Sequence, residues 1–148
     1  MRVIVTGGCG FIGHHVVEHI LRKTNWEIIV LDKLNYVSFG YQRLKDNGAY
    51  ESPRVKIFCY DISCEISVGL KKEIGPVDYI IHMAAETHVD NSISDPVPFI
   101  HNNVMSTVNM LEYARSIPEL KSFIYFSTDE VFGPALEDTL YKEWDRHN

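Results

Sequence analysis

A chain of 148 residues, 45% hydrophobic and 23% charged, is long and apolar enough to bury one sizeable core, so a single domain is expected. A net charge of -6 supplies no basic face, which argues against nucleic acid as a partner. No apolar run approaches the roughly 20 residues of a bilayer crossing, and Cys9, Cys59 and Cys64 form an odd, irregular set, so no membrane partner and a reducing, cytoplasmic setting are expected.

The chain opens without a charged leader on "RVIVT" (2–6), a β-branched run that reads as a strand. A helix-like stretch over 11–23 follows, then a second strand, "EIIVL" (27–31). The polar segment 33–53, with Gly40, Gly48 and Pro53, reads as a long loop holding one helical turn. "VKIFCY" (55–60) is a third strand, 64–74 a second helix, and "VDYIIHM" (77–83) a fourth strand. Over 99–116, Ile100, Val104, Val108 and Leu111 recur at helical spacing. "KSFIYFS" (121–127) is a fifth strand, and the polar, acidic residues 135–148 contain no sixth. The strands lack clean alternation, as expected of a parallel sheet covered on both faces. A βαβ alternation of this kind predicts an α/β fold, a doubly wound parallel sheet of the Rossmann-like NAD-binding type. Its ligand crevice lies beyond the carboxyl ends of the strands. Five strands amount to half of a larger sheet, incomplete at the C-terminus.

The unusual clusters all fall at strand ends. "TGGCGFIG" follows the first strand and satisfies G-x-G-x-x-G through Gly8, Gly10 and Gly13, and G-x-x-G-x-x-G through Gly7, Gly10 and Gly13. Residues without Cβ let the backbone approach a pyrophosphate at a helix N-terminus. Asp32 stands 19 residues past Gly13, at the end of the second strand. A carboxylate there accepts hydrogen bonds from adenosine ribose hydroxyls and repels a 2′-phosphate, which favours NAD over NADP. Asp61 and Ile62 after the third strand suit an adenine, the acid toward its amino group and the isoleucine over its ring, although a helix N-terminal Asp is an equal reading of Asp61. Ala84 and Ala85 in "MAAETH" (83–88) allow close approach of a cofactor or close packing on a helix. Cys9 reads as filling a small buried slot or, if exposed beside the helix N-terminus, as a thiol of lowered pKa. Four of the seven histidines, at 14, 15, 88 and 101, lack metal-ligand spacing with a thiol or carboxylate set, and no metal site is expected. The fifth strand ends in "FSTDEVFG" (126–133), where Thr128, Asp129 and Glu130 read either as capping and loop residues or as a catalytic set.

"TGGCGFIG", "LDKLNY", "YDI", "HMAAETHVDNS", "HNNV" and "FSTDEVFG" stand in one order and spacing over essentially the whole chain. In this the chain resembles the extended short-chain dehydrogenase/reductase family, and within it the nucleotide-sugar 4,6-dehydratases that act on dTDP-glucose or UDP-glucose. The resemblance implies that Gly7, Gly10, Phe11, Ile12 and Gly13 hold the NAD pyrophosphate. It assigns Asp32, Lys33, Leu34 and Asn35 to the ribose, Asp61 and Ile62 to the adenine, and Met83, Ala84, Ala85, Glu86 and Thr87 to the nicotinamide side. Thr87 also faces the sugar nucleotide, and Asn102 touches the cofactor. Thr128 is implied to bond the C4 oxygen of the substrate, Asp129 to act as general acid and Glu130 as general base. Adjacent carboxylates divide those roles only if burial splits their proton affinities. Three positions depart from the commoner pattern: Asn91 for arginine, Phe132 for tyrosine and Ser106 for glycine. Asn91 leans toward the UDP-glucose branch.

The family also oxidises C4 with a Tyr-x-x-x-Lys pair that follows this region. "YQRLK" (41–45) has the spacing but lies more than 80 residues before Thr128, and Tyr141 is followed four residues on by Asp145. The resemblance therefore implies the N-terminal, cofactor-binding part of a dehydratase. The sugar-nucleotide domain is absent, turnover by the chain itself is not expected, and the full-length protein is expected to be a homodimer. The alternatives are a sister epimerase or decarboxylase, and a non-catalytic NAD-binding module.

Overall fold

The computed structural model describes residues 1–36, 38–134 and 140–146; half of the acidic tail read above as strandless, 135–139 and 147–148, lies outside them. Five strands, β1 (Arg2–Thr6), β2 (Glu27–Asp32), β3 (Val55–Cys59), β4 (Tyr79–His82) and β5 (Ser122–Tyr125), form one sheet in the order β3-β2-β1-β4-β5. Every pairing is parallel. The chain thus winds outward from β1 in one direction to β3, crosses back, and continues through β4 to β5, so β1 and β4 flank the point where the winding reverses. Crevices open at the carboxyl ends of strands at such a point.

Alternate residues of β1 serve opposite faces, as the two-residue period of a strand requires. Ile4 joins Ile29, Leu31, Ile80 and the helices α3 (Val68–Ile74) and α5 (Pro96–Arg115) through Leu70, Ile74, Met110 and Tyr113. Val3 and Val5 join Ile28, Val30 and the helices α1 (Gly13–Lys23) and α2 (Gln42–Asp46) through Val17, Ile20 and Leu44. The continuous apolar runs are explained by this double cover, but only for the three central strands. The edge strands β3 and β5 are half-buried or exposed along most of their length.

The helices depart from expectation at their ends. Residues 11 and 12 belong to the glycine turn rather than to α1, and α3 begins at Val68, where Ser67 accepts a hydrogen bond from the Leu70 amide at 3.1 Å. Asp61 therefore caps no helix. α5 starts three residues early because Pro96 at its first turn needs no hydrogen-bond acceptor and already holds a helical φ. A six-residue helix, α4 (Val89–Ser94), precedes it and was not expected; it buries nothing, so no apolar period marks it. On α5 the repeat of Ile100, Val104, Val108 and Leu111 is exposed, at 62%, 53%, 44% and 48%, while Ser106, Met110 and Tyr113 face the sheet. The spacing that reveals this helix is therefore not its core-facing stripe.

Candidate cofactor and catalytic site

The glycine turn links β1 to α1 and is shaped by contacts that exclude side chains. Gly7 has φ +69°, and a Cβ on it would lie 2.9 Å from the Ala84 Cα; one on Gly13 would lie 2.0 Å from the Gly7 carbonyl oxygen. Both positions require glycine, one for its dihedral and the other for space. The Gly10 amide bonds back to the Gly7 carbonyl at 3.0 Å, so Gly7, Gly10 and Gly13 make the tight part of the turn. Gly8 instead packs on β2, where a Cβ would meet Val30 at 2.8 Å.

Asp32 closes the turn from the end of β2. One of its oxygens accepts from the Cys9 amide at 2.9 Å and the other from the Leu34 amide at 2.8 Å. A carboxylate has about four lone-pair sites, so each oxygen keeps capacity for another donor. Cys9 fills a buried slot as expected, and burial, with Asp32 and Cys59 nearby, pushes its thiol up to about 12. It is therefore a protonated packing residue.

Beyond the strand ends lies a cavity of about 730 Å³, within the range of small-molecule sites. From the turn it is lined by Gly7, Gly10, Phe11, Ile12 and Gly13; from β2 by Asp32, Lys33 and Asn35. Asp61 and Ile62 line it after β3, Met83 to Thr87 after β4, and Asn102 from α5. Thr128 and Glu130 close its far end after β5. Of the residues expected to touch a cofactor, Leu34 alone turns away: its φ of +57° directs it toward the cluster beneath α1. Asp61 lines the cavity while accepting from the Ser63 amide at 2.9 Å, an Asx turn. Burial raises its carboxyl, but the bonds from Ser63 and the charge of Lys33 outweigh this and hold it below its usual value.

Several lining groups were not anticipated. Asn103, Ser106 and Thr107 continue the cavity wall along α5 from Asn102, and a step of three or four from Asn103 on a helix is the signal that finds them. Polar contacts tie the strand-end loops together: Lys33 Nζ lies 2.7 Å from Glu86 Oε1 and donates to Asn102 Oδ1 at 2.8 Å, and Asn35 donates to the same Glu86 oxygen at 3.0 Å. Asn91 donates to the Tyr36 hydroxyl at 3.4 Å, so this departure from the commoner pattern stands near the rim. Ser106 is buried and donates to the Asn103 carbonyl at 3.3 Å.

Thr128 caps a short 3-10 turn, Asp129–Phe132, accepting from the Glu130 amide at 3.2 Å and donating to Asp129 Oδ1 at 3.3 Å. The capping reading of this hydroxyl therefore holds, whatever else it does. The tight turn divides the carboxylates: Glu130 lines the cavity and Asp129 does not. Both are exposed, so the expected burial is not present among the described residues. Tyr41 and Lys45 sit at α2 outside the cavity, each against the Tyr50 ring. Tyr141 stacks on Phe132 at 5.0 Å. No group of acidic, His and Cys side chains among the described residues could hold a metal ion.

The sequence profile of a family described as GDP-mannose 4,6 dehydratase matches residues 4–147. The chain belongs to this family. It is 38% identical over 141 residues to a trifunctional UDP-glucose 4,6-dehydratase, 3,5-epimerase and reductase of Arabidopsis thaliana, covering 94% of this chain and 20% of that protein. It is also 38% identical to the dTDP-glucose 4,6-dehydratase of Salmonella typhimurium, covering 90% of this chain and 38% of the relative. The crystal structure of DesIV, a dTDP-glucose 4,6-dehydratase of Streptomyces venezuelae with NAD and TYD bound, superposes with a TM-score of 0.86 at 35% identity. That match takes in 100% of this chain and 45% of DesIV. The chain thus spans between 20% and 45% of the length of these three proteins.

Proposed function

We propose that these 148 residues are the NAD-binding part of a nucleotide-sugar 4,6-dehydratase that converts dTDP-glucose or UDP-glucose to the 4-keto-6-deoxy sugar and water. The observation that carries this reading is Asp32, bonded to the glycine turn at one end of a cavity whose other end holds Thr128 and Glu130. The groups fit a dinucleotide: backbone bare of Cβ for the pyrophosphate, a carboxylate with free lone pairs for the ribose, and a further carboxylate at Asp61 for the adenine. NAD would accept a hydride from C4 of the sugar and later return one at C6.

The chain's own groups would act at the sugar. Thr128 donates to the C4 oxygen, a bond it can make only by releasing Asp129. Glu130, facing the cavity, takes the C5 proton once C4 is a ketone and that proton has become acidic. Asp129 delivers a proton to the departing C6 oxygen after turning inward, where the bound sugar would bury it and so supply the separation from Glu130 that the division of roles needs. Oxidation at C4 is assigned to a Tyr-x-x-x-Lys pair outside these 148 residues, because no such pair follows Thr128. The chain is therefore expected to bind NAD without completing turnover.

NAD titration by calorimetry tests the cofactor reading. Asp32→Ala removes the ribose acceptor and should weaken binding by about tenfold or more, the equivalent of about 1.4 kcal/mol. Equal affinity of wild type and variant would overturn the ribose role.

We place the full-length protein in the cytoplasm; no helix among the described residues is long and apolar enough to cross a membrane. It forms a homodimer through the α4 and α5 face, where Ile93, Val97, Ile100, Val104, Val108 and Leu111 leave a row of apolar side chains exposed. Val104→Glu should turn a sedimenting dimer into a monomer, and an unchanged sedimentation coefficient would refute this assignment.

A further inference from the structure

His82 ends β4 and is fully buried, a titratable side chain that the reaction scheme leaves unused. Thr6, its register partner on β1, accepts hydrogen bonds on Oγ1 from the amides of Met83 and Ala84, each at 3.0 Å. A hydroxyl offers two lone pairs and one proton. With both lone pairs engaged, the Thr6 proton is left for His82 Nδ1, 2.8 Å away. The ring must accept at Nδ1 and carry its own proton on Nε2. That N–H faces Thr107 Oγ1 at 3.2 Å, and Thr107 in turn donates to the Asn103 carbonyl at 2.8 Å. The Asn103 side chain then grips both backbone groups of Glu86, accepting from its amide at 2.8 Å and donating to its carbonyl at 2.9 Å.

The segment from Met83 to Glu86 is thus pinned at both ends, by Thr6 and by Asn103, and the His82 ring joins the two pins. Met83, Ala84, Ala85 and Glu86 line the cavity, and Ala84 presses on Gly7 so closely that no Cβ fits between them. A small displacement of this backbone reaches the glycine turn directly. We infer that His82, held as the Nε2–H tautomer between Thr6 and Thr107, is a positioning residue that sets the backbone on the nicotinamide side of the site. The inference rests on the NAD reading above for its function, but its hydrogen-bond pattern stands without it.

Nitrogen-edited NMR of the cofactor-free 148-residue chain near neutral pH reads the tautomer directly. An unprotonated Nδ1 and a protonated Nε2 are expected; the opposite tautomer or an averaged pair of signals would overturn the inference with no cofactor involved. Two variants then separate positioning from mere space-filling. Asparagine sets an oxygen where Nδ1 stands and can accept from Thr6, whereas glutamine reaches toward Nε2 and leaves the Thr6 proton without a buried acceptor. His82→Asn should bind NAD within about threefold of wild type and His82→Gln about tenfold more weakly, the loss typical of an unsatisfied buried hydrogen bond. Equal weakening in both variants would refute the positioning role. If wild type itself fails to bind NAD, that failure falls on the proposed function. The amide resonances of Met83 and Ala84 then decide: a larger shift in His82→Gln supports the inference, and equal shifts refute it.

Discussion

Gly13→Ala is expected to cost the fold about 3 kcal/mol and to remove measurable NAD binding in the same step. The added Cβ would stand 2.0 Å from the Gly7 carbonyl oxygen and 2.8 Å from both the Gly7 carbonyl carbon and the Gly8 Cα. All three atoms belong to the backbone, so no rotamer change relieves the clash. Either α1 moves away from β1, exposing Val17 and Ile20, or the turn opens and the close approach to a pyrophosphate is lost. Gly48→Ala is the control. Its φ is +75° but nothing lies within 4 Å of the built Cβ, so only the left-handed backbone strain of about 1 kcal/mol applies. Urea denaturation of the two variants should separate them clearly, and equal losses would show that crowding at Gly13 is not what holds the turn.

Acid should unfold the chain sooner than its carboxylates alone require. Burial pushes the His82 imidazole down from 6.5 to about 4. The side chains bonded to it or in ring contact with it, Thr6 from β1, Thr107 from α5, and Phe123 and Tyr125 from β5, include neither a carboxylate nor a cation. The unfolded chain therefore binds a proton more readily than the folded one. The contribution of this group is fully present above pH 6.5 and is lost as pH falls from 6.5 toward about 4. Each pH unit in that window removes about 1.4 kcal/mol, so roughly 2 kcal/mol should disappear between pH 7.5 and pH 5. Urea midpoints at the two pH values measure this. In His82→Asn the decline should shrink to whatever the remaining groups supply, and an undiminished decline would assign the acid sensitivity elsewhere.

The sheet was legible because burial on both faces writes itself into β1, β2 and β4 as unbroken apolar runs, and the glycine turn because its geometry admits few other residues. What escaped was set by contacts with no local pattern. α4 buries nothing and so has no period. On α5 the conspicuous apolar repeat faces outward, while the face on the sheet uses Ser106 among its contacts, a residue type that spacing arguments overlook. Leu34 follows Asp32 and Lys33 in sequence, yet its positive φ turns it toward the core. That Glu130 lines the cavity and Asp129 does not comes from a 3-10 turn that adjacency cannot reveal. His82 read only as part of a strand run, because its partner Thr6 lies 76 residues away.

The two amide bonds to Asp32 carry a consequence for selectivity. A mobile acid at the end of β2 could swing aside and admit a ribose bearing a 2′-phosphate at small cost. Asp32 cannot do so without releasing both the Cys9 and the Leu34 amides, and it is only 8% exposed. On the ribose role proposed for Asp32, discrimination would be built into the fold before any ligand arrives. The bonds that fix Asp32 form with the fold itself, so the ordering entropy of the turn would be lost during folding rather than at binding.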